Sequence, residues 1–370
     1  MTFALTEDQA LLKETADGFF ADKAPVTLLR RLRDAGATSD PALWSEVGAL
    51  GFCGGLVPEE HGGTAMGFRA TALALEAEAR TLGASPLFQT GWIAAAALTQ
   101  AGTREQKARF LPKIAAGEIR FALAVDESAH HRPGAVQARC EMGRLSGLKR
   151  FVVDGAGADW LLVLAHVGGG TGFALVDATA EGVTRTPLAV VDSTDRADIR
   201  FENVAAEMLG GGALRPAVIE GILDVARAGV AAQMLGLMDA CFRMTVDYLQ
   251  TRTQFGQLIG SFQALQHRAS NMLVEMELTR SCVVAALAAL DRAAVGELDG
   301  TRLAEAVSLA KARAADTLQL VTNETIQMHG GIGMTDAHDS GLYLKRARVL
   351  EALYGSAGWH RDRWARLNGY

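Results

Sequence analysis

The stretch TRTQFGQLIGSFQALQH carries the side chains of this sequence that are best suited to bind an anion. It places Arg252, Phe255, Gln263 and His267 around a glycine-containing turn between two long apolar segments. A guanidinium group offers a fork of N–H donors that matches phosphate oxygens, and an aromatic face beside it can hold a flat ring. The stretch therefore predicts either a pyrophosphate site or a helix–helix connection with an ordinary arginine.

A second candidate, QMHGGIGM, runs from Gln327 to Met334. Its glycine pair, Gly330 and Gly331, would let a ligand approach the backbone closely, and such a pair also commonly ends a helix. Each of the two stretches is a weak signal by itself. Because they occur together, on helices that follow a helical region and a β-region, they form a much stronger pattern.

The histidines, cysteines and remaining glycine-rich stretches of this sequence do not occur at the spacings typical of metal or phosphate sites. The eight histidines form neither HxxxH nor HExxH and the four cysteines form no CxxC pair, so we predict no metal site and reduced core cysteines. GGGTG, Gly168 to Gly172, is not followed by a helix, so a hairpin turn is expected rather than a phosphate loop. HHRPG, with His130 and His131, is predicted to be an exposed loop, and HRDRWARL a solvated helix face.

The formal net charge of -6 is spread over intermixed acidic and basic residues, which does not favour nucleic acid as a partner. Charged residues interrupt the longest apolar stretches, so we predict no membrane span. The first residues, MTFALTEDQALLKE, lack the basic and apolar regions of a secretion signal. We therefore expect a cytoplasmic protein.

Three regions with different hydrophobic periods must position the candidate residues. Residues 1–120 have helical spacing, with a capping box at Thr6 and Gln9. Residues 121–211 are short runs rich in Val, Leu and Phe with turns and no helix between them, which predicts an antiparallel β-barrel. Residues 212–370 contain long apolar helices that predict a four-helix bundle. The fold class is thus α+β, multi-domain and mainly α, and its spare apolar faces predict a dimer or tetramer.

Over essentially its whole length, the sequence resembles the acyl-CoA dehydrogenases. The resemblance is carried by RTQFGQLIGSFQALQHRASNM, QMHGGIGM, LDVAR at Leu223 to Arg227, and GLKRFVVDGAGADWLLVLA. It implies a helical domain, a β-barrel and a four-helix bundle, with FAD as cofactor, an acyl-CoA thioester as substrate and electron-transfer flavoprotein as electron acceptor. In this family a carboxylate takes the α-proton while the β-hydrogen leaves as hydride to FAD, which gives a trans-2-enoyl-CoA.

The resemblance also implies that each FAD lies across a subunit interface, with its flavin ring on one subunit and its adenosine pyrophosphate end on the neighbour. The residues that match the adenosine pyrophosphate end are Arg252, Phe255, Gln263, Gln327 and Gly331. The residues that match the positions meeting the pantetheine part of acyl-CoA are Asp224 and Arg227.

The flavin-ring positions depart from the family pattern. Asp126 and Ser128 stand where the family has the Thr and Pro of a Thr-Glu-Pro segment. Phe151 and Val153 stand in place of a Trp-x-Thr segment. The resemblance is therefore asymmetric: the adenosine pyrophosphate side is kept and the flavin-ring side is altered.

The positions of the catalytic base depart as well. Tyr354 replaces the glutamate of Glu-Gly-Thr, and Ala226 holds the other position at which some members carry the carboxylate. A phenol has an unperturbed pKa of about 10, so roughly one in a thousand is ionised at neutral pH, which makes tyrosine a poor base. Glu351, one helical turn before Tyr354, and Glu127, near the expected flavin edge, are fallback candidates.

Three interpretations stay open. The asymmetry resembles one subunit of the heteromeric α2β2 acyl-CoA dehydrogenases of steroid degradation, in which a homologous partner subunit supplies the base. The second interpretation is a self-sufficient flavoenzyme, or a related flavin oxidase, with a displaced base. The third is a non-catalytic binding or scaffold protein on the same fold. The sequence favours the first and identifies neither the acyl group nor the base.

Overall fold

The computed structural model describes residues 4–370, with helices at both ends of the chain and a sheet in the middle. The helices of the first part are α1 (Glu7–Lys23), α2 (Val26–Asp34), α3 (Pro41–Ala49), α4 (Phe68–Arg80), α5 (Ala95–Ala101) and α6 (Arg104–Ala115). A π-helical segment, Phe88–Ala94, leads directly into α5. As predicted, Thr6 and Gln9 form a capping box, in which each side chain accepts a hydrogen bond from the other's backbone N–H over 3.2 Å.

The middle of the chain forms a sheet that curls around its own apolar core. Its strands are β1 (Phe121–Ala124), β2 (Arg139–Glu141), β3 (Arg144–Val153), β4 (Trp160–Val167), β5 (Gly170–Asp177), β6 (Val183–Pro187), β7 (Arg196–Ala205) and β8 (Glu207–Met208). They are ordered β6-β7-β3-β2-β4-β5-β8, with β1 beside β4. Gly168 and Gly169, with φ of +52° and +83°, make the β4–β5 hairpin turn that the sequence predicted.

The predicted fold class is confirmed, but the expected wholly antiparallel barrel is not what the strands form. β1 and β2 both pair with β4 in parallel, and β6 and β8 end the strand order without pairing to each other among the described residues. A long connection makes the parallel pairing possible, because residues 125–159, which contain the β2–β3 hairpin, separate β1 from β4. The sequence pattern gives the strands but not this long-range pairing.

The last part of the chain is a helical bundle with an exposed hairpin between its first two helices. Its helices are α7 (Pro216–Thr251), α8 (Gln263–Ala294), α9 (Gly300–His329), α10 (Ser340–Ala352) and α11 (Ala357–Leu367), and the hairpin strands are β9 (Thr253–Gln254) and β10 (Gln257–Leu258). α7 is long and apolar enough to cross a membrane by composition, but 89% of its most apolar 18-residue window is buried inside the protein. It is the core helix of the bundle.

The π-helical segment and α7 are packed face to face through Trp92. Its indole is fully buried, and its Nε1–H donates to the Val225 carbonyl over 2.7 Å. Gly229, one helical turn further along α7, leaves room for the ring, because a Cβ at that position would lie 2.4 Å from the Trp92 Nε1. This contact fixes the first part of the chain against the bundle beside the candidate site.

Two glycines of α7 test how tightly this helix is packed. A Cβ at Gly236 would lie 2.1 Å from the Glu76 carbonyl oxygen on α4, whereas the nearest atom to a Cβ at Gly221 is 3.8 Å away. We expect Gly236→Ala to lower the free energy of unfolding by about 2 kcal/mol or more, because the backbone of α4 or α7 must shift to make room for the methyl group. The matched change Gly221→Ala should raise it by about 0.5–1 kcal/mol through helix propensity. Denaturant unfolding measures both, and equal effects would contradict the close α4–α7 contact.

Candidate active site and cofactor site

The hairpin between α7 and α8 projects an arginine and a phenylalanine into solvent. Arg252 caps the end of α7, and its guanidinium has no hydrogen bond or ion pair within residues 4–370. Phe255 lies at the hairpin tip with φ of +53° and 91% of its surface exposed. Gln263 is the first residue of α8 and is also exposed. We call the segment from Arg252 to Gln263 the cofactor arm.

The end of α9 lies beside the cofactor arm. His329, buried near the end of α9, packs its ring 4.5 Å from the ring of Tyr248, whose carbonyl accepts a 2.9 Å hydrogen bond from the Arg252 backbone. Gln327 and Gly331 flank His329 and are both exposed. The structure thus brings the two predicted adenosine-side segments to the same end of the bundle.

The arm suits the pyrophosphate end of FAD. An unpaired, exposed guanidinium is free to bind phosphate oxygens, and an exposed aromatic ring nearby offers a flat contact surface. Both groups are held on a short hairpin whose strands pair Gln254 with Gln257. That Arg252, Phe255, Gln263, Gln327 and Gly331 hold the adenosine pyrophosphate end stays a prediction.

A groove of about 1190 Å³ runs between the loop that follows β1 and the ends of α7, α8, α9 and α11. Arg132 and Arg215 line it, are exposed, and form no side-chain hydrogen bond or ion pair within the described part of the chain. Glu220, Asp224 and Trp359 also line it. Free arginines at the mouth of a long groove suit a ligand with several phosphates, such as a coenzyme A thioester.

A buried network of charges forms one wall of this groove. Arg227 is fully buried, and its Nη1 donates to Asp224 Oδ1 over 2.8 Å and to Glu220 Oε2 over 2.9 Å. Arg363 on α11 donates to both oxygens of Asp224, over 2.7 and 2.9 Å, and to Ser308 on α9 over 3.0 Å. Burial would raise the pKa of the Glu220 carboxyl, but the two arginines hold it below its usual value. The network ties α7, α9 and α11 together.

The two residues predicted to meet pantetheine therefore play different parts. Asp224 lines the groove, whereas Arg227 lies behind it, with its guanidinium 4.8 Å from the Trp359 ring. The sequence gave no signal for Trp359. HRDRWARL was expected to be a solvated helix face, and that expectation is wrong for His360, which is fully buried, and for Arg363, which is 9% exposed. Their partners are far away along the chain, which is why the local pattern missed them.

Both expected positions of the base are closed to solvent. Ala226 is fully buried, and Tyr354 is 3% exposed in the turn between α10 and α11, with φ of +54°. The Gln89 side chain donates to the Tyr354 hydroxyl over 3.1 Å, and the Phe88 ring packs 6.4 Å from the Tyr354 ring. Burial raises the pKa of Tyr354 above its ordinary value, so the phenol stays protonated and cannot take a proton at neutral pH.

The turn that carries Tyr354 is held in place by a buried lysine. Lys311 on α9 donates to the carbonyls of Leu350 and Glu351 over 3.2 Å each, and to that of Gly355 over 3.0 Å. These bonds satisfy carbonyls at the end of α10 that have no partner inside the helix. Burial lowers the pKa of Lys311 to about 7. The position of the Tyr354 backbone is thus set by α9.

Glu351 does not share a helix face with Tyr354, contrary to the sequence-based expectation. α10 ends at Ala352, and the following residue has an extended backbone, so the helical spacing does not reach Tyr354. The Glu351 carboxylate instead accepts a 3.0 Å hydrogen bond from Arg348. It is therefore engaged in an ion pair on α10.

Glu127 is engaged in the sheet. Its Oε1 accepts from the fully buried Lys149 over 2.6 Å and from the Ala138 backbone over 3.0 Å, while its Oε2 accepts from the Gln137 backbone over 2.7 Å. Lys149 also donates to the Val125 carbonyl over 2.9 Å. With both oxygens bound by three donors, Glu127 is a structural anchor of the loop after β1.

His131 is another residue whose environment was predicted wrongly from the sequence. It was expected in an exposed loop, but it is 9% exposed, and its Nδ1 lies 3.0 and 3.1 Å from the two Asp126 oxygens. Its Nε2 lies 3.4 Å from the Arg227 Nη2, and its ring centroid is 6.1 Å from that of Tyr354. Burial lowers the pKa of His131, although Asp126 opposes this. The neighbouring His130 is exposed as predicted.

The altered flavin-ring positions are partly exposed and partly engaged with neighbouring side chains. Phe151 is 44% exposed with φ of +53°, and the Arg150 guanidinium lies 5.3 Å from its ring. Asp126 is held by His131, and Ser128 is exposed. These side chains are thus not those that the family places around the flavin ring.

Cysteine and histidine side chains are common ligands of a protein-bound metal ion. Within residues 4–370, no three His, Cys, Asp or Glu side chains are grouped to hold a metal ion. Cys53, Cys140 and Cys241 are buried free thiols, and Cys282 is a half-buried one. The predicted reduced state agrees with this arrangement.

A helical part, a curled sheet and a helical bundle, with an exposed arginine-bearing arm and a long groove, agree with the architecture that the resemblance implied for a flavin-dependent oxidoreductase acting on an acyl-CoA. Family models for the N-terminal and C-terminal domains of acyl-CoA dehydrogenase match residues 6–118 and 216–367. The chain therefore belongs to the acyl-CoA dehydrogenase family, whose cofactor is FAD, and the predicted resemblance is confirmed.

Three named relatives are similar to this chain along nearly its whole length. Acyl-CoA dehydrogenase IpdE2 of Mycolicibacterium smegmatis is 27% identical over 355 residues, which are 95% of this chain and 96% of that protein. A solved Tcur3481–Tcur3483 steroid ACAD variant is 31% identical, with 98% of both chains covered and a TM-score of 0.88. The ChsE4–ChsE5 complex from Mycobacterium tuberculosis is 25% identical, with 100% of both chains covered and a TM-score of 0.91.

The role of the cofactor arm can be measured through FAD affinity. We expect Arg252→Ala to weaken FAD binding by the assembled protein roughly 10- to 150-fold, because a charge-assisted hydrogen bond contributes about 1.5–3 kcal/mol. Arg243→Ala, which removes another exposed arginine of α7, is the matched control and should leave the affinity within about twofold. Fluorescence titration of the apoprotein with FAD measures both, and equal affinities would show that Arg252 does not contact the cofactor.

Proposed function

We propose that this chain is one subunit of a heteromeric acyl-CoA dehydrogenase, in which a homologous subunit supplies the catalytic carboxylate. The observation that carries the proposal is the state of the two base positions. Tyr354 is a buried, protonated phenol and Ala226 is buried and apolar. A thioester α-proton needs a positioned base with a suitable pKa, and neither side chain provides one.

The nearby acids support the proposal because each is already engaged. Glu351 is paired with Arg348, and Glu127 is bound by three donors in the sheet. Asp126 is held by His131 and also accepts from the Arg132 backbone over 3.1 Å. Recruiting any of them as a base would require breaking these contacts.

The exposed side chains of the cofactor arm also support the proposal. Within residues 4–370 the Arg252 side chain forms no hydrogen bond or ion pair, and Phe255 is 91% exposed, with its ring 6.2 Å from that of Phe262 in the same arm. On a neighbouring subunit they would neutralise a pyrophosphate and cover the adenosine end of FAD. When bound, FAD supplies the hydride acceptor of the reaction. This chain would then complete the partner's cofactor site while contributing no base.

The names of two relatives support the heteromer and suggest a substrate class. Two solved structures similar to this chain are named as pairs of proteins, and one is named a steroid ACAD. We infer that the substrate is a coenzyme A thioester of a steroid-derived acid, held in the groove with its phosphates near Arg132 and Arg215. A further similar structure, 27% identical with a TM-score of 0.91, is named electron transferring flavoprotein of Acidaminococcus fermentans. Electron-transfer flavoprotein remains our proposed electron acceptor.

One observation favours a self-sufficient enzyme as the second candidate. His131 has a carboxylate behind one ring nitrogen and lies beside Tyr354, which is how a histidine base is commonly oriented. Burial keeps the pKa of His131 low, so its ring is neutral at pH 7. Arg227 lies 3.4 Å from the other ring nitrogen and would have to move away first.

Flavin content distinguishes the two candidates. We expect the purified homomer to carry well below one FAD per chain, because its residues at the flavin-ring positions depart from the family pattern. Co-expression with a homologous subunit that has the family glutamate should raise the content in the complex. Flavin released by denaturation and measured by absorbance gives the ratio. One tightly held FAD per chain in the homomer would contradict the heteromer proposal.

Paired substitutions locate the base. In the complex, Tyr354→Phe should leave acyl-CoA oxidation with an artificial electron acceptor within about tenfold, because the phenol does not transfer the proton. His131→Gln should behave similarly, whereas Glu→Gln at the partner's base should lower the rate about 10²- to 10⁴-fold. Loss of turnover in His131→Gln, with FAD content and assembly intact, would establish the second candidate instead.

A further inference from the structure

The segment that joins α9 to α10, residues 330–339, has little apolar packing to hold it in place. It begins with two glycines, and Gly330 has φ of +61°, a conformation that glycine adopts readily because it has no side chain. Ile332 and Met334 are both exposed, and of residues 330–339, all of which the structure describes, only Gly333 is buried. Polar contacts must therefore fix this segment, which we call the α9–α10 loop.

Two histidines close the α9–α10 loop on itself. The His338 ring lies 4.3 Å from the ring of His329 at the end of α9, and the His329 Nδ1–H donates to the Thr325 carbonyl over 2.7 Å. The His338 Nδ1 accepts from the Ser340 backbone N–H over 3.2 Å, and the Ser340 hydroxyl donates to the Gly333 carbonyl over 3.2 Å. These contacts shape the loop but do not tie it to the first part of the chain.

Two arginines of α2 provide that tie. Both Nη groups of Arg33 donate to the Asp336 carboxylate, over 2.8 and 3.0 Å, which is the bidentate geometry that gives such a pair its directional specificity. Arg30 donates from Nη2 to Asp339 Oδ1 over 2.6 Å, and from Nη1 to the Asp336 carbonyl over 2.7 Å. The partners are 303 to 309 positions apart along the chain. The N-terminal helical part therefore determines where the α9–α10 loop lies.

We propose that Arg30 and Arg33 are positioning residues for the cofactor, because they hold the α9–α10 loop where Gly331 can meet the adenosine pyrophosphate end of FAD. The inference rests on the predicted roles of Gly331 and the cofactor arm. A loop that is ordered in advance loses less conformational freedom when a ligand binds, so the ligand binds more tightly. The first part of the chain would thus strengthen FAD binding without touching FAD.

Opposite charge reversals separate positioning from long-range electrostatics. FAD carries negative charge on its pyrophosphate, so a field effect alone would make Arg33→Asp weaken FAD binding and Asp336→Arg strengthen it. Positioning predicts instead that each substitution weakens FAD binding by the assembled protein about fivefold or more, because each replaces the same attraction by a repulsion. In the double variant the pair is restored with its charges exchanged, and the affinity should return to within about twofold of the unaltered protein.

Fluorescence titration with FAD measures all three variants, and Arg31→Asp is the matched control. Arg31 is exposed on the same helix, and its side chain forms no hydrogen bond or ion pair within the described part of the chain. Its reversal changes the net charge as much as Arg33→Asp does, yet it should leave the affinity within about twofold. Tighter binding by Asp336→Arg, no recovery in the double variant, or equal effects of Arg31→Asp and Arg33→Asp would each overturn the proposal.

Hydrogen–deuterium exchange of the purified chain without FAD tests the tie between α2 and the loop by itself. The backbone N–H groups of Thr335 and His338 are hydrogen-bonded within the loop, over 3.0 and 3.3 Å. Arg33→Asp should make residues 330–339 exchange faster, because the loop opens more often, and the double variant should slow the exchange again. Unchanged exchange in Arg33→Asp would show that α2 does not hold the loop.

Arg252→Ala tells a failure of this inference from a failure of the predicted cofactor site. If Arg252→Ala weakens FAD binding and the Arg33 and Asp336 variants do not, the positioning role is wrong and the cofactor arm keeps its predicted role. If none of these substitutions changes the affinity, FAD is not held at this end of the bundle and both ideas are wrong.

Discussion

The candidate site depends on one buried ion network, in which Arg227 and Arg363 share the carboxylates of Glu220 and Asp224. All four groups lie within 3 Å of a partner, and three of the four residues are buried. Removing one member of such a network leaves uncompensated charge in the interior, which typically costs about 3–5 kcal/mol. The network therefore positions α11 against α7 through directed hydrogen bonds between specific side chains.

Because α11 is fixed in this way, the turn before it is fixed too. Lys311 binds three carbonyls on either side of Tyr354, and Gln89 holds the phenol from the π-helical segment. Gln89 is itself held, since its Oε1 accepts from the Leu123 backbone over 2.9 Å. The turn that carries the base in the family is thus rigid here, but the side chain it presents is not a base.

Local features of the fold followed from the sequence. The capping box at Thr6, the hairpin turn at Gly168 and the order of helices, strands and helices depend on residues that are close along the chain. The parallel pairing of β1 with β4 did not follow, because it joins strands separated by residues 125–159. The turn between α10 and α11 was also missed, since an apolar period does not reveal where a helix stops.

The candidate site also has a part that could be predicted from the sequence and a part that could not. The cofactor arm could be predicted because Arg252, Phe255 and Gln263 lie within one short stretch, although only the family resemblance gave them a role. The burial of His131 and Arg363 could not, because their partners Arg227 and Asp224 are 96 and 139 positions away. A charged residue with a distant buried partner looks like an ordinary surface residue in the sequence.

The exposed tip of the cofactor arm also has a consequence for the life of the protein in the cell. Phe255 is 91% exposed and Leu258 is 46% exposed on the same hairpin, and Ile332 and Met334, just after α9, are 44% and 79% exposed. Exposed apolar side chains of this kind are what chaperones and proteases recognise. If the proposed partner subunit covers this surface, a copy synthesised in excess of that partner would leave it open to chaperones and proteases, and the cellular supply of the two subunits would stay matched.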